Sequence, residues 1–153
     1  INGMLHSYQT QNIGNSQIEE AFIKHTNWNP NKARPIVIAN SNVLENKFKS
    51  NKTYSGFTAT AGGFYGPQGR VLRLPLQDSD LNNKMDAFNF DGVSISNLEM
   101  ETSAIYGLSK LLGHNAISLN AIIANRANGT FSKNPKQVVD DLIIYTLERI
   151  EKD

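Results

Sequence analysis

The rhythm of apolar and polar positions changes several times along the chain, and each change predicts an element. After Asn15, residues Ile18, Ala21, Phe22 and His25 share one face at helical spacing. Ser16-Gln17-Ile18-Glu19 has the form of a capping box, with Ser16 accepting from the first turn and Glu19 reaching back. Residues 35–39 form a short, wholly apolar run, the pattern of a strand buried on both faces. A polar helix is predicted over 41–49. Residues 53–61 alternate β-branched and aromatic side chains and read as a second strand, with 71–74 as a third. A helix is predicted over 79–88 and a strand over 93–97. Within 99–112, Ala104, Leu108, Leu111 and Leu112 recur at helical spacing, and Gly113 supplies the stop. Residues 116–124 again read as a buried strand. Asn134 and Pro135 then start a last helix, with Val138, Leu142, Ile143, Tyr145 and Ile150 as its buried side.

Strands alternating with helices predict an α/β fold, with helices layered on a mixed, mostly parallel sheet. No repeat, low-complexity tract or linker divides the chain, so residues 1–153 read as one unit. In such sheets, function gathers in the loops at strand ends. Three segments fall there: 62–70, 97–101 and 124–130.

Composition removes several alternatives. With 15 basic and 14 acidic residues the chain has no long-range field to attract nucleic acid. It has no apolar run of about 20 residues, so no membrane span is expected. The absence of cysteine excludes disulfides, thiolate nucleophiles and cysteine-based metal sites, and fits a reducing, cytoplasmic location. His6, His25 and His114 lack ligand spacing, so no metal cofactor is expected, and no Gly-x-Ser-x-Gly elbow supports a serine hydrolase.

The first strand-end segment, Gly62-Gly63-Phe64-Tyr65-Gly66-Pro67-Gln68-Gly69-Arg70, lacks the Lys-Ser/Thr ending of a phosphate-cradling loop. Its glycines suit a turn. Its other residues combine a planar aromatic, a carboxamide and a guanidinium, a set suited to a planar heterocycle. In Asn97-Leu98-Glu99-Met100-Glu101-Thr102, two carboxylates lie where a strand meets a helix. They either stabilise the first helical turn or accept hydrogen bonds from a diol such as ribose. Arg126 follows a buried apolar run, at a cleft or simply at the surface.

Together these segments resemble the C-terminal half of the nucleoside phosphorylase family, and within it the uridine phosphorylases. The resemblance runs from about Thr53 to the end. It is carried by Gly63-Phe64-Tyr65-Gly66-Pro67-Gln68-Gly69-Arg70, Leu98-Glu99-Met100-Glu101-Thr102 and Ile123-Ala124-Asn125-Arg126 in matching order and spacing. It implies a three-layer sandwich with a mixed, mostly parallel central sheet, incomplete in this chain. It also implies phosphorolysis of uridine to uracil and ribose 1-phosphate, with inorganic phosphate as co-substrate and no cofactor. By resemblance, Gln68 holds the uracil edge, and Arg70 donates to a base carbonyl with help from Arg126. Phe64 packs on the nucleoside, Met100 lines the sugar pocket and Glu101 accepts from ribose hydroxyls. Glu99 belongs to the same motif without a definite task.

Purine-cleaving relatives carry an aspartic acid where this chain has Asn125-Arg126, and an amide cannot act as a general acid, which favours a pyrimidine. The resemblance further implies a homo-oligomer, dimer or hexamer. It implies too that the phosphate site belongs to an N-terminal half without a counterpart here, so that this chain alone is expected to be inactive and to expose apolar edges. A purine phosphorylase or hydrolytic nucleosidase of the same fold is the alternative within the class. A non-catalytic nucleoside-binding or assembly module is the alternative outside it.

Overall fold

The computed structural model describes residues 13–125 and 128–151. Helix α1 (Ser16–Thr26) begins one residue earlier than the capping box predicts, because Asn15 is the cap and accepts from the Ile18 amide at 3.3 Å. Asparagine caps as well as serine does. Glu19 is thereby released from the reciprocal role and accepts instead from the Val37 amide at 3.0 Å.

That bond also explains why 35–39 is extended without being a strand. Its Val37 amide and carbonyl are satisfied by Glu19 and by the Asn15 amide (2.8 Å), not by a neighbouring ladder. The predicted strand at 71–74 is likewise absent. Its apolar side chains point to solvent, Leu74 being 79% exposed.

Helix α2 (Asn42–Phe48) forms as expected, capped by Ser41. Strand β1 (Phe57–Thr60) is shorter than predicted. Helix α3 (Leu81–Asp86), shorter than the expected 79–88, precedes a short strand β2 (Asn89–Phe90) that the pattern does not predict. Strand β3 (Val93–Glu99) extends two residues beyond its expected end. It is the middle of a mixed three-stranded sheet, parallel to β1 and antiparallel to β2.

The β1–β3 register steps from Phe57↔Ile95 to Thr58↔Asn97, leaving Ser96 as an extra residue. This bulge breaks strict alternation, so Ile95 and Leu98 both reach the core although they are three residues apart. Gly56 lies against the bulge, where a Cβ would stand 2.2 Å from Ser96 Oγ.

Helix α4 (Thr102–Leu111) packs against β1. It ends as predicted at Gly113, whose φ of 74° lets the His114 amide reach Ser109 O (2.7 Å) and the Gly113 amide reach Lys110 O (3.4 Å). The run 116–123 is extended but unladdered. Only β4 (Ala124–Asn125) pairs, with β5 (Thr130–Phe131). Helix α5 (Pro135–Glu151) has no buried residue, and Ile143 and Ile150 of its predicted inner side are exposed.

The core is Phe22, Val37, Ala59, Met85 and Phe88, with Ile18, Ala21 and Trp28 packed beside it. Phe22 meets Phe88 edge to face at 5.2 Å. His25 closes this core through Nε2 and Lys84 O at 2.9 Å and through the Phe88 ring, which gives it a structural task. The architecture is thus mixed α/β, with a small mixed sheet and flanking helices.

Candidate functional site

Because β1 and β3 run parallel with Thr60 opposite Glu99, the chain leaves both strands at the same end of the sheet. The 61–70 loop and the 100–102 turn therefore start side by side, and the Ala61 amide donates to Glu99 O at 2.7 Å. This is the end at which α/β proteins place their ligands.

The loop is closed on itself. Residues Gly66–Gln68 make one 3-10 turn, ended by Gly69 at φ 76°. A Cβ there would stand 2.1 Å from Asn82 Nδ2, which donates to Gln68 O, so glycine is required both by conformation and by the close approach of α3. Arg70 folds back over the loop. Its guanidinium lies 3.6 Å from the Phe64 ring centroid and donates to Gln68 Oε1 at 2.8 Å and to Phe64 O. The three chemically distinctive residues of the loop are thus brought together as one cluster. Phe64 is 51% exposed, with one face against Arg70 and its neighbour Tyr65 set edge-on to it. Gln68 is buried at 4% exposure.

On the adjoining turn the two carboxylates divide. Glu99 Oε1 accepts from Thr60 Oγ1 at 2.6 Å, and Oε2 accepts from the Glu101 and Thr102 amides at 2.7 and 2.8 Å. Glu99 therefore holds the start of α4 from the last residue of β3, while Glu101, the residue preceding the helix, is exposed. Glu101 Oε2 accepts from the Met100 amide at 3.2 Å, and Met100 is half-buried beside it. Arg126 lies outside the described residues.

Burial opposes ionisation of Glu99, but the donors from Thr60, Glu101 and Thr102 outweigh it and hold the carboxyl below its ordinary range. A folded pKa below the unfolded one gives stability that is present above the unfolded value, about 4.3. That stability is lost as pH falls through the folded value. Glu99→Gln is expected to flatten the acid limb of a stability–pH curve measured by urea unfolding. A limb that superimposes on the wild type would remove Glu99 from the acid response.

Between the core and residues 65–78 lies a cavity of about 1010 Å³, with Phe22, Ala59 and Leu98 in its floor and Arg70, Arg73 and Trp28 on its sides. Of the described candidate residues, Arg70 alone lines it. Thr60, also on the cavity wall, was read from the sequence only as a strand residue. Its pairing with Glu99 depends on the β1–β3 register, which no local pattern discloses. Among the described residues there is no group of three or more His, Asp or Glu side chains arranged to hold a metal ion. No helix among them is long and apolar enough to cross a membrane.

The fold and this strand-end cluster define a mixed α/β protein with a polar, aromatic-lined loop beside a paired-carboxylate turn. No family model, curated protein or solved structure matches the chain.

Proposed function

We propose that the protein takes part in phosphorolysis of uridine to uracil and ribose 1-phosphate, with this chain supplying the base and ribose site. The observation that carries the reading is the parallel Thr60↔Glu99 register, which starts the Phe64–Gln68–Arg70 loop and the Glu99-Met100-Glu101 turn at one end of the sheet. In this reading the loop that recognises the base and the turn whose carboxylate accepts the diol start from adjacent strand ends.

In this reading Gln68 reads the uracil edge with its carboxamide, which Arg70 orients through Oε1. Arg70 donates to a uracil carbonyl, where negative charge grows as the glycosidic bond to C1′ breaks. Fixed donors aimed at developing charge act more strongly in the transition state than in the ground state. Phe64 packs on the nucleoside with the face that Arg70 leaves open. Met100 borders the sugar, and exposed Glu101 accepts from its hydroxyls. Phosphate attacks C1′ as the base departs, so no covalent protein nucleophile is needed. Asn125, which pairs with Thr130 in the β4–β5 hairpin, carries an amide and not the acid that purine release requires.

The test is release of uracil from uridine, with and without inorganic phosphate, by this chain together with the half that supplies the phosphate site, with inosine as the competing substrate. Phosphate-dependent uracil release supports the reading, whereas base release from inosine, or from uridine without phosphate, overturns it. Gln68→Glu removes the amide donor and is expected to raise the KM for uridine about 10–100-fold, the cost of one unmatched buried polar group. An unchanged KM would take Gln68 off the base edge.

A further inference from the structure

We propose that Thr60 and Glu99 form a latch that fixes the Glu101 carboxylate relative to the 62–70 loop, which makes Glu99 a positioning residue and not a sugar ligand. Its catalytic consequence rests on the nucleoside reading above; its structural half does not.

Thr60 is the last residue of β1, only 1% exposed, and its hydroxyl is used in both senses. Oγ1 donates to Glu99 Oε1 at 2.6 Å and accepts from the Ser103 amide, in the first turn of α4, at 3.0 Å. Glu99 in turn spends its other oxygen on the Glu101 and Thr102 amides. Three protein donors thus occupy the carboxylate, and each comes from an element that must keep its place. One is the strand that leads into the base loop. The others are the backbone of the sugar residue itself and the helix behind it. The Glu101 amide is tied at 2.7 Å, so the Cα from which its carboxylate projects is fixed by the same oxygen that caps α4.

Helix capping alone would not need the bond between Thr60 and Glu99, since Thr60 Oγ1 takes the Ser103 amide and Glu99 the Glu101 and Thr102 amides without it. A carboxylate accepting two amides at a helix start is complete as a cap, and a valine would satisfy the strand equally well. What the hydroxyl adds is a connection from that cap to β1. Through it, a shift of the base loop is transmitted to the sugar carboxylate. A reacting centre held between the two loses rate steeply when either moves, about 10²-fold for a displacement of about 1 Å.

The test compares Thr60→Val, which keeps shape and removes the hydroxyl, with Thr60→Ser, which keeps the hydroxyl. Amide hydrogen exchange at Glu101 and Thr102, measured without substrate, is expected to quicken about tenfold or more in Thr60→Val and to return to the wild-type rate in Thr60→Ser. Wild-type exchange in Thr60→Val, or failure of serine to restore it, overturns the latch.

In the uridine assay Thr60→Val is expected to lose about 10–100-fold in kcat/KM, chiefly through kcat, with serine recovering it. Wild-type kcat/KM in Thr60→Val overturns the positioning role. If this chain together with the half that supplies the phosphate site cleaves no uridine, the functional reading is defeated instead, and the exchange measurement still decides the latch. Should Thr60→Val not fold, the carboxylate ¹³C resonances of the wild-type protein decide. On addition of uridine that of Glu101 is expected to move and that of Glu99 to stay. A Glu99 shift as large as that of Glu101 makes Glu99 a sugar ligand and overturns the proposal.

Discussion

Arg70→Ala is expected to lower uridine turnover by about 10²–10³-fold, the usual loss when one preorganised donor to developing charge is removed. The loop geometry gives the reason. Arg70 is held over the Phe64 ring at 3.6 Å and against Gln68 Oε1 at 2.8 Å, so its direction is set before any substrate arrives. Alanine removes the donor and also the bond by which Arg70 orients the Gln68 carboxamide. Arg70→Lys is expected to recover little, because a single ammonium cannot stack on Phe64 and present a planar fork together. Steady-state uracil release at saturating phosphate checks both variants. Turnover within twofold of wild type in Arg70→Ala would remove Arg70 from the mechanism.

The second large effect concerns stability. Phe22→Ala is expected to destabilise the fold by about 3–5 kcal/mol, as for other buried aromatic truncations. Phe22 is fully buried, meets Phe88 edge to face and lies 5.8 Å from the Trp28 ring. It also forms part of the floor of the cavity under residues 65–78, so truncation enlarges an existing space that neighbouring side chains do not fill. Against a typical stability of about 5–15 kcal/mol this is a large share. Urea unfolding should show a lower midpoint at unchanged slope. A loss below about 1 kcal/mol would mean that α1 settles onto the sheet and closes the gap.

Where the sequence spoke clearly, a local signal sufficed. The Ile18/Ala21/Phe22 face, the helix expected over 41–49 and the Gly113 stop all depend on residues within one or two turns of each other, and the structure has each of them, with His25 of the same face exposed. Ladders were harder. The runs 35–39 and 116–124 are apolar enough for buried strands, but an apolar run does not specify a partner strand, and outside Ala124 these residues have none. The Asn15 cap displaced the expected Ser16 because two good capping residues stand side by side, and the Glu19 carboxylate was claimed by Val37 from outside the helix.

The candidate site shows the same division. Phe64, Gln68 and Arg70 are close in sequence, and their clustering follows from one turn. The separation of Glu99 from Glu101 in role does not, since both look alike until strand pairing sets Thr60 opposite Glu99. The Ser96 bulge adds a further shift that strict alternation would have missed.

Helix α5 is attached by its edge. Tyr145 Oη donates to Phe48 O at 2.5 Å and lies 3.0 Å from Ser50 Oγ, while Arg149 donates to Lys47 O at 3.4 Å and Lys47 Nζ to Ile150 O at 3.3 Å. An element with no fully buried side chain contributes little to the cooperative core, so its opening need not wait for global unfolding. The Tyr145 phenol, with two partners at and just past the end of α2, is one of several ties on these seventeen residues. Tyr145→Phe is expected to let protease cut within α5 several-fold faster while the Phe22–Phe88 core stays folded, and equal cutting rates would show that the helix is held by other means. Helix α5 would then behave as a detachable arm, able to leave α2 and return on a timescale of its own.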